Sequence, residues 1–257
     1  MMASTEVTFG KHAVRAVFQA RPEAIRRVVL LEGARRYLEE FEVAARKLAI
    51  VPEIFPRGNF LRVGNLGKED KHQGVFVLAA RRTLHDEKDL ETLHKGVVLA
   101  LDQVSNPRSL GTILRGAAYF GAQAVLVMKN RSATLSPAAV SVAVGGADFV
   151  RIHRITNLAR SLQILKDRGF WVYALDGRGD RTLAQTEFGD KIVIVVGAEG
   201  EGLRVQTKRM CDELIRIPGG RPGLDSLNVG VAATVALAEL FRQQTHGADV
   251  RSSRRKG

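Results

Sequence analysis

Four short, almost unbroken apolar runs set the strongest limit on what this chain can fold into: residues 97–101, 124–128, 171–175 and 192–196. Each has the length of one strand, and none alternates apolar with polar. A strand that is apolar on both sides must be covered on both faces. Helical patterns fall between and after these runs, at 110–120, 137–144, 158–167 and 204–212. Strands of this kind, separated by helices, imply a parallel sheet with helices on each face, an α/β fold. Such sheets place ligands beyond the carboxyl ends of their strands. The loops that leave these strands are therefore where function is expected.

Ahead of this region, helix and strand also alternate. Residues 10–21 are amphipathic, with Ala13, Val14, Val17 and Phe18 on one face, and 28–31 read as a buried strand. A helix is expected over 34–48, a strand at 50–54, a short helix at 60–66 and a strand at 74–79. Residues 1–83 thus read as a small α/β domain. Residues 84–95 are polar and charged without an apolar period, as a linker would be. The main domain is expected over 96–246, and 247–257 reads as a basic flexible tail.

Lysine and arginine total 39 against 27 acidic residues, a net charge of +12. That imbalance points to a polyanionic partner, most simply nucleic acid. Arg26, Arg27, Arg35, Arg36, Arg81 and Arg82 are the candidate phosphate contacts of the first domain. Any one of them alone reads as an ordinary solvated charge; the set favours phosphate. Cys211 is the sole cysteine, so an internal disulfide and a cysteine-built zinc site are excluded. No His/Asp/Glu cluster has metal-ligand spacing, and no metal is expected. His12 and His72 read as structural or RNA-contacting residues rather than catalytic ones. No apolar run is long enough to span a bilayer, and no signal-peptide core precedes the first helix. A cytoplasmic location is expected.

Three loops carry the chemistry. The first runs from Asp102 through Asn106, Pro107 and Ser109 to Arg115, leaving a strand and opening a helix that Ser109 is placed to cap. The second follows the strand at 192–196 as Gly197-Ala198-Glu199-Gly200-Glu201-Gly202. It lacks the Gly-Lys-Ser/Thr ending of a Walker A loop, and its glycine order differs from a dinucleotide turn. Two glutamates would repel phosphate, so a ligand of positive character suits it better. The third runs from Ile217-Pro218 through a Gly/Pro-rich stretch to Ser226-Leu227-Asn228, before a helix of small and apolar residues from 229 to 241. Its backbone could wrap an adenine-sized ligand, and Ser226 could cap the helix. A helix apolar on most of its circumference is expected to bury against its own sheet and against another element or subunit.

In order and spacing these loops resemble the three motifs of the SpoU (TrmH-like) RNA ribose 2'-O-methyltransferases. The matching set is Asp-x-Val-x-x-Pro-x-x-x-Gly-x-Ile-x-Arg from Asp102 to Arg115, then Gly-Ala-Glu-Gly-x-Gly from Gly197, then Ile217-Pro218 with Ser226-Leu227-Asn228. The N-terminal unit, from Gly10-Lys11-His12-Ala13-Val14 to His72-Gln73-Gly74-Val75, is similar to the substrate-binding domain of the ribosomal RNA branch. That domain is itself similar to kink-turn-binding ribosomal proteins. The resemblance implies a trefoil knot near the C-terminus, one of the rare exceptions to unknotted topology. It implies S-adenosylmethionine bent in that knot, with Gly197, Ile217 and Leu227 as backbone contacts and Pro218 and Gly202 beside them. It further implies a homodimer acting on structured RNA, most simply large-subunit ribosomal RNA. Arg115 carries over as the catalytic arginine, Glu199 as the acid of the second motif, and Ser226 and Asn228 as the polar pair of the third.

The chain departs from the family pattern in its first motif. The family's asparagine falls on Ser109, and Asn106 stands where the family usually has aspartate. In the third motif, Gly230 replaces a common serine. Two readings follow. Either Asn106 or another group supplies the missing amide contact and the chain is a methyltransferase, or it is a catalytically silent RNA-binding or ribosome-assembly protein that keeps the fold.

Overall fold

The computed structural model describes residues 5–219, 221, 223 and 226–253, with side chains to residue 245. Gly220, Pro222, Leu224 and Asp225 of the third loop and residues 254–257 of the expected tail lie outside the described residues. The chain divides into two units, Met1–Thr83 with Val140–Phe149, and Leu84–Ala139 with Val150–Gly257.

The first unit contains β1 (Thr5–Phe9), α1 (Lys11–Ala20), β2 (Ile25–Leu31), α2 (Glu39–Lys47), β3 (Glu53–Phe55), α3 (Arg57–Gly64) and β4 (Val75–Ala80). Its sheet has the order β1-β4-β2-β3, with β4 antiparallel to β1 and β2, and β3 parallel to β2. Alternation along each strand sends side chains to two faces. Val28, Leu30, Val75 and Val77 pack with Val14, Val17 and Phe41 on one side. Val29 and Phe76 pack with Phe60 on the other. The helix expected over 34–48 is interrupted: a 3-10 turn at Glu32–Tyr37 precedes α2, and Leu38 between them is fully buried. The strand β1 escaped the sequence reading because it is short and half polar.

Residues 140–149 join this unit through α5 (Pro137–Ala143) and α6 (Gly146–Phe149). Gly145 has φ +88° and lies so close to Ala16 that an added Cβ would collide with the Ala16 methyl. The Asp148 carboxylate is fully buried and accepts from Arg21 Nε at 2.6 Å and Arg82 Nε at 2.9 Å. Glu6 accepts from the same two guanidinium groups, at 2.6 Å from Arg21 and 2.8 Å from Arg82. Buried charges persist only when paired in this way.

The second unit contains β5 (Gly96–Asp102), α4 (Pro107–Tyr119), β6 (Ala124–Met128), β7 (Arg151–Ile155), α7 (Leu158–Asp167), β8 (Trp171–Leu175), β9 (Arg181–Thr182), β10 (Lys191–Gly197), α8 (Val205–Met210), β11 (Glu213–Arg216) and α9 (Val229–Ser253). The seven strands are ordered β7-β6-β5-β10-β8-β11-β9, and every pairing is parallel. The four apolar runs are β5, β6, β8 and β10, and all four stand at inner positions, with β6 and β8 on either side of the central β5–β10 pair. The edge strand β7 was not visible in sequence because Arg151, His153 and Arg154 break its apolar pattern.

Residues 84–95, expected as a linker, are instead built into this unit. Glu87–Thr92 forms a 3-10 turn closed by a reciprocal Asp86/Asp89 capping box. Leu90 and Leu93 enter the core beside Leu158, Leu162 and Leu165. Two leucines three apart follow a 3-10 period and fail to register as an amphipathic helix. The expected flexible tail also differs in part, since α9 continues as helix to Ser253. No described helix is long and apolar enough to cross a membrane.

His153 is completely buried on β7 and stacks on His85, with ring centroids 5.0 Å apart. Its Nδ1 lies 3.2 Å from the Asp86 carbonyl, which can only accept, so Nδ1 carries the proton. Nε2 has no partner among the described residues. Burial holds the ring below the ordinary histidine value of 6.5. The folded pKa is therefore below the unfolded one, and the unfolded chain takes up protons first. This contribution to stability is complete above the unfolded value and is lost as pH falls through 6.5 toward the folded value. Thermal unfolding should show a flat midpoint above about pH 7 and a decline below about pH 6.5. The decline should be shallower in His153→Gln, and an unchanged slope in that variant would refute the assignment.

Candidate functional site

The first loop begins where β5 ends. Asp102, its last residue, is fully buried. It accepts from Arg204 Nε at 2.7 Å and from the Arg204 backbone N–H at 3.1 Å. This pair ties the end of β5 to the start of α8, just after the second loop. The sequence reading assigned Asp102 no role. Its position as the last residue of an apolar strand was the available signal, because a carboxylate there must find a partner.

Helix α4 starts earlier than expected, and its cap is Asn106 rather than Ser109. Asn106 Oδ1 accepts from the Arg108 N–H at 2.9 Å, and Pro107 occupies the first helical position. The reason is local: asparagine in an extended conformation before proline makes the stronger start signal. Asn106 is thereby committed to the cap. Ser109 moves to the third helical position, is buried, and has its hydroxyl free for another partner.

That partner is Glu199. Strand β10 runs into a tight turn in which Ala198 and Gly202 exchange both backbone hydrogen bonds, at 3.2 and 3.0 Å. Gly200 and Gly202 have φ of +87° and +71°, a region open chiefly to glycine. A Cβ on Gly197 would overlap the Gly202 carbonyl and the Leu203 nitrogen. The turn carries Glu199 outward, where it accepts a short hydrogen bond from Ser109 Oγ. It also accepts from Asn228 Nδ2 at 2.8 Å.

The third loop completes the group. Asn228 Nδ2 lies 3.4 Å from Ser109 Oγ, and Asn228 Oδ1 accepts from the N–H groups of Gly230 at 2.9 Å and Val231 at 3.4 Å. Asn228 is thus the cap of α9. The expectation that Ser226 caps this helix is corrected: Ser226 is exposed, and the nearer asparagine holds the role. One residue from each loop, Ser109, Glu199 and Asn228, meets in one cluster. Ile217 and Pro218 follow β11 directly, and Leu227, which precedes Asn228, is exposed.

Arg115 is not drawn into this cluster. It lies six residues beyond Ser109 on α4, about 9 Å along the axis and about 120° around it. It is exposed, and among the described residues no carboxylate pairs with it. Gly230, a departure from the family pattern, has a physical reason here. A side chain at that position would press on the Thr112 Cβ and Cγ2 atoms of α4. The buried side of α9 is Val229, Ala233, Ala236, Leu237 and Leu240, while Val231, Val235 and Phe241 remain exposed.

In the first unit, the six candidate arginines separate by partner. Arg82 is buried in the network with Glu6 and Asp148, so its reading as a phosphate contact is corrected to a structural one. Arg27 makes two hydrogen bonds to Glu53, at 2.6 and 2.7 Å, which hold Glu53 below the ordinary carboxylate value. Arg35 pairs with Glu42 at 2.7 Å. Arg26 donates to the Glu23 carbonyl at 2.8 Å, Arg36 lies over the Tyr37 ring, and Arg81 is exposed. None of these last three pairs with a carboxylate among the described residues.

The model of the SpoU rRNA Methylase family matches residues 96–238. The 23S rRNA (guanosine-2'-O-)-methyltransferase RlmB of Escherichia coli K12 is 35% identical over 251 residues, covering 94% of this chain and 100% of that protein. Its Pseudomonas aeruginosa counterpart is 37% identical over 256 residues, covering 95% and 99%. Among solved structures, the methyltransferase AviRb from Streptomyces viridochromogenes, in complex with AdoMet, superposes with a TM-score of 0.74 at 21% identity, covering 95% of this chain and 91% of that one. An AdoMet-bound rRNA methyltransferase from Sinorhizobium meliloti gives 0.73 at 22% identity, covering 93% and 87%. These two show the shared fold. With three motif residues gathered at one site, a family model over more than half of the sequence and relatives aligned along nearly all of it, the chain belongs to the SpoU rRNA methylase family.

Proposed function

We propose that the three loops bind S-adenosylmethionine and transfer its methyl group to a ribose 2'-hydroxyl of 23S ribosomal RNA, at a guanosine as in the named relatives. The observation that carries this reading is the meeting of Ser109, Glu199 and Asn228. An enzyme of this kind must place the 2'-oxygen in line with the methyl carbon and the sulfonium sulfur. In such a transfer an O–C bond would form as the C–S bond breaks, S-adenosylhomocysteine would leave, and the hydroxyl proton would pass to the adjacent RNA phosphate. Most of the rate gain comes from holding that line. The expected cofactor contacts, Gly197, Gly202, Ile217, Pro218 and Leu227, flank the cluster in sequence, and a positive sulfonium suits a turn bearing Glu199 and Glu201.

Arginine stays protonated in nearly any protein setting. Arg115 therefore serves as a phosphate clamp that stabilises charge developing on the attacking oxygen, rather than as a base. Its exposure, and the lack of a carboxylate partner among the described residues, support that role. A homodimer would cover the exposed Val231, Val235 and Phe241 of α9 together with Tyr119 of α4. A 23S rRNA substrate would place the protein in the cytoplasm. The catalytically silent alternative loses its main argument, because Ser109 replaces the family's asparagine without leaving Glu199 unpartnered. Asn228 supplies the amide beside it.

Calorimetric titration should show one S-adenosylmethionine site per subunit, and Gly197→Ala should weaken that site by about tenfold or more, since about 1.4 kcal/mol of strain is enough. A chain that fails to bind at millimolar cofactor would end the enzyme reading. With cofactor bound, Arg115→Lys keeps the charge and loses the two-pronged fork, and methyl transfer to 23S rRNA should fall by about 10- to 100-fold. Near-wild-type turnover would reject the clamp. Ser109→Asn should leave the methylation rate within about threefold of wild type if Asn228 already provides the amide; a large rise would show that the native site is impaired.

A further inference from the structure

Within the first unit, three segments converge at one end: the start of α1, the loop ahead of β4, and the 3-10 turn before α2. Lys11 Nζ donates to the Tyr37 carbonyl at 3.1 Å. The Lys11 N–H donates to Gln73 Oε1 at 2.9 Å, and Gly10 lies against the Lys71 carbonyl. On this framework Tyr37 is 61% exposed, with the Arg36 guanidinium 4.7 Å from its ring centroid. Two of the neighbouring acids are paired, Glu40 with Arg15 at 2.8 Å and Glu42 with Arg35 at 2.7 Å, while Glu32 and Glu39 make no ion pair among the described residues. Arg36 and Lys71 pair with no carboxylate among the described residues.

We propose that Arg36 and Tyr37 form a stacking platform for an unpaired base of the RNA substrate, with Lys11 and Lys71 beside it to take the flanking phosphates. This rests on the RNA-substrate reading above and assigns part of the recognition to named residues. An exposed aromatic face bearing a guanidinium offers stacking and cation–π contact to any base. A paired base keeps its faces inside the duplex and cannot use such a platform, so the partner is a loop, bulge or single-stranded segment. The backbone of Tyr37 is fixed through Lys11, which places the ring without help from the ring's own packing. Replacing the ring therefore leaves the fold in place.

The test uses the full chain and two labelled RNAs of equal length, a hairpin with an unpaired loop and a fully paired duplex, read by fluorescence anisotropy. Tyr37→Ala should weaken hairpin binding by about tenfold and change duplex binding by less than about twofold. Tyr37→Phe should retain hairpin affinity, and Arg36→Gln should lose part of it. S-adenosylmethionine binding by calorimetry should be the same in all three variants. Unchanged hairpin affinity in Tyr37→Ala, or equal losses on hairpin and duplex, overturns the platform. A wild-type chain that binds S-adenosylmethionine but neither RNA overturns the RNA-substrate reading and the platform with it.

Discussion

The site depends on one buried ion pair and the backbone approach beside it. Asp102 sits at the end of a strand whose other residues are apolar, with no water to solvate it. Its carboxylate is satisfied by Arg204, from both the side chain and the backbone N–H. An unpaired charge there would be prohibitive, so the chain after the glycine turn has to return to β5. That return brings Gly197 and the Gly202–Leu203 peptide so close that no side chain fits between them. The exit of β10, the glycine turn and the start of α8 are thus fixed together, and Glu199 rides on the part so fixed.

Around this anchor, two helix starts share the work of building the cluster. Asn106 caps α4, which leaves Ser109 inside the first turn with a free hydroxyl. Asn228 caps α9 through its oxygen and reaches Glu199 through its nitrogen. An amide can do both because its donor and acceptor point apart. The serine at position 109 thereby donates to Glu199 beside the Asn228 amide. Packing supports the same arrangement, since Gly230 and Gly116 let α9 lie close on Thr112 and let α4 lie close on Thr234.

The charge of the first unit shows how far composition can be taken. A net charge of +12 directs attention to a polyanion. It does not say which arginines meet it. Arg82 and Arg21 are consumed by Glu6 and Asp148, and Asp148 is 66 residues distant from Arg82 in sequence. Arg27 and Arg35 have their own carboxylates. Arg26, Arg36 and Arg81 are left without a carboxylate among the described residues, and Arg36 lies over the ring of Tyr37, which charge alone would never have selected.

Several features were legible in sequence because they depend on local pattern. Unbroken apolar runs specify buried parallel strands wherever they occur, and β5, β6, β8 and β10 lie where those runs do. Motif spacing likewise located the three loops and named Glu199, Ser109 and Asn228. Other features depend on partners far along the chain. The partnership of Asp102 with Arg204, the buried leucines of residues 84–95, the polar edge strand β7 and the attachment of residues 140–149 to the first unit all rest on long-range contacts. So does the division of arginines into paired and free. Sequence determined the elements and the chemistry available at each loop, since periodicity and residue type are properties of neighbours. Only the tertiary structure decided which hydroxyl meets which carboxylate and which charge stays open to a partner, because those choices are made by burial and by distance across the fold.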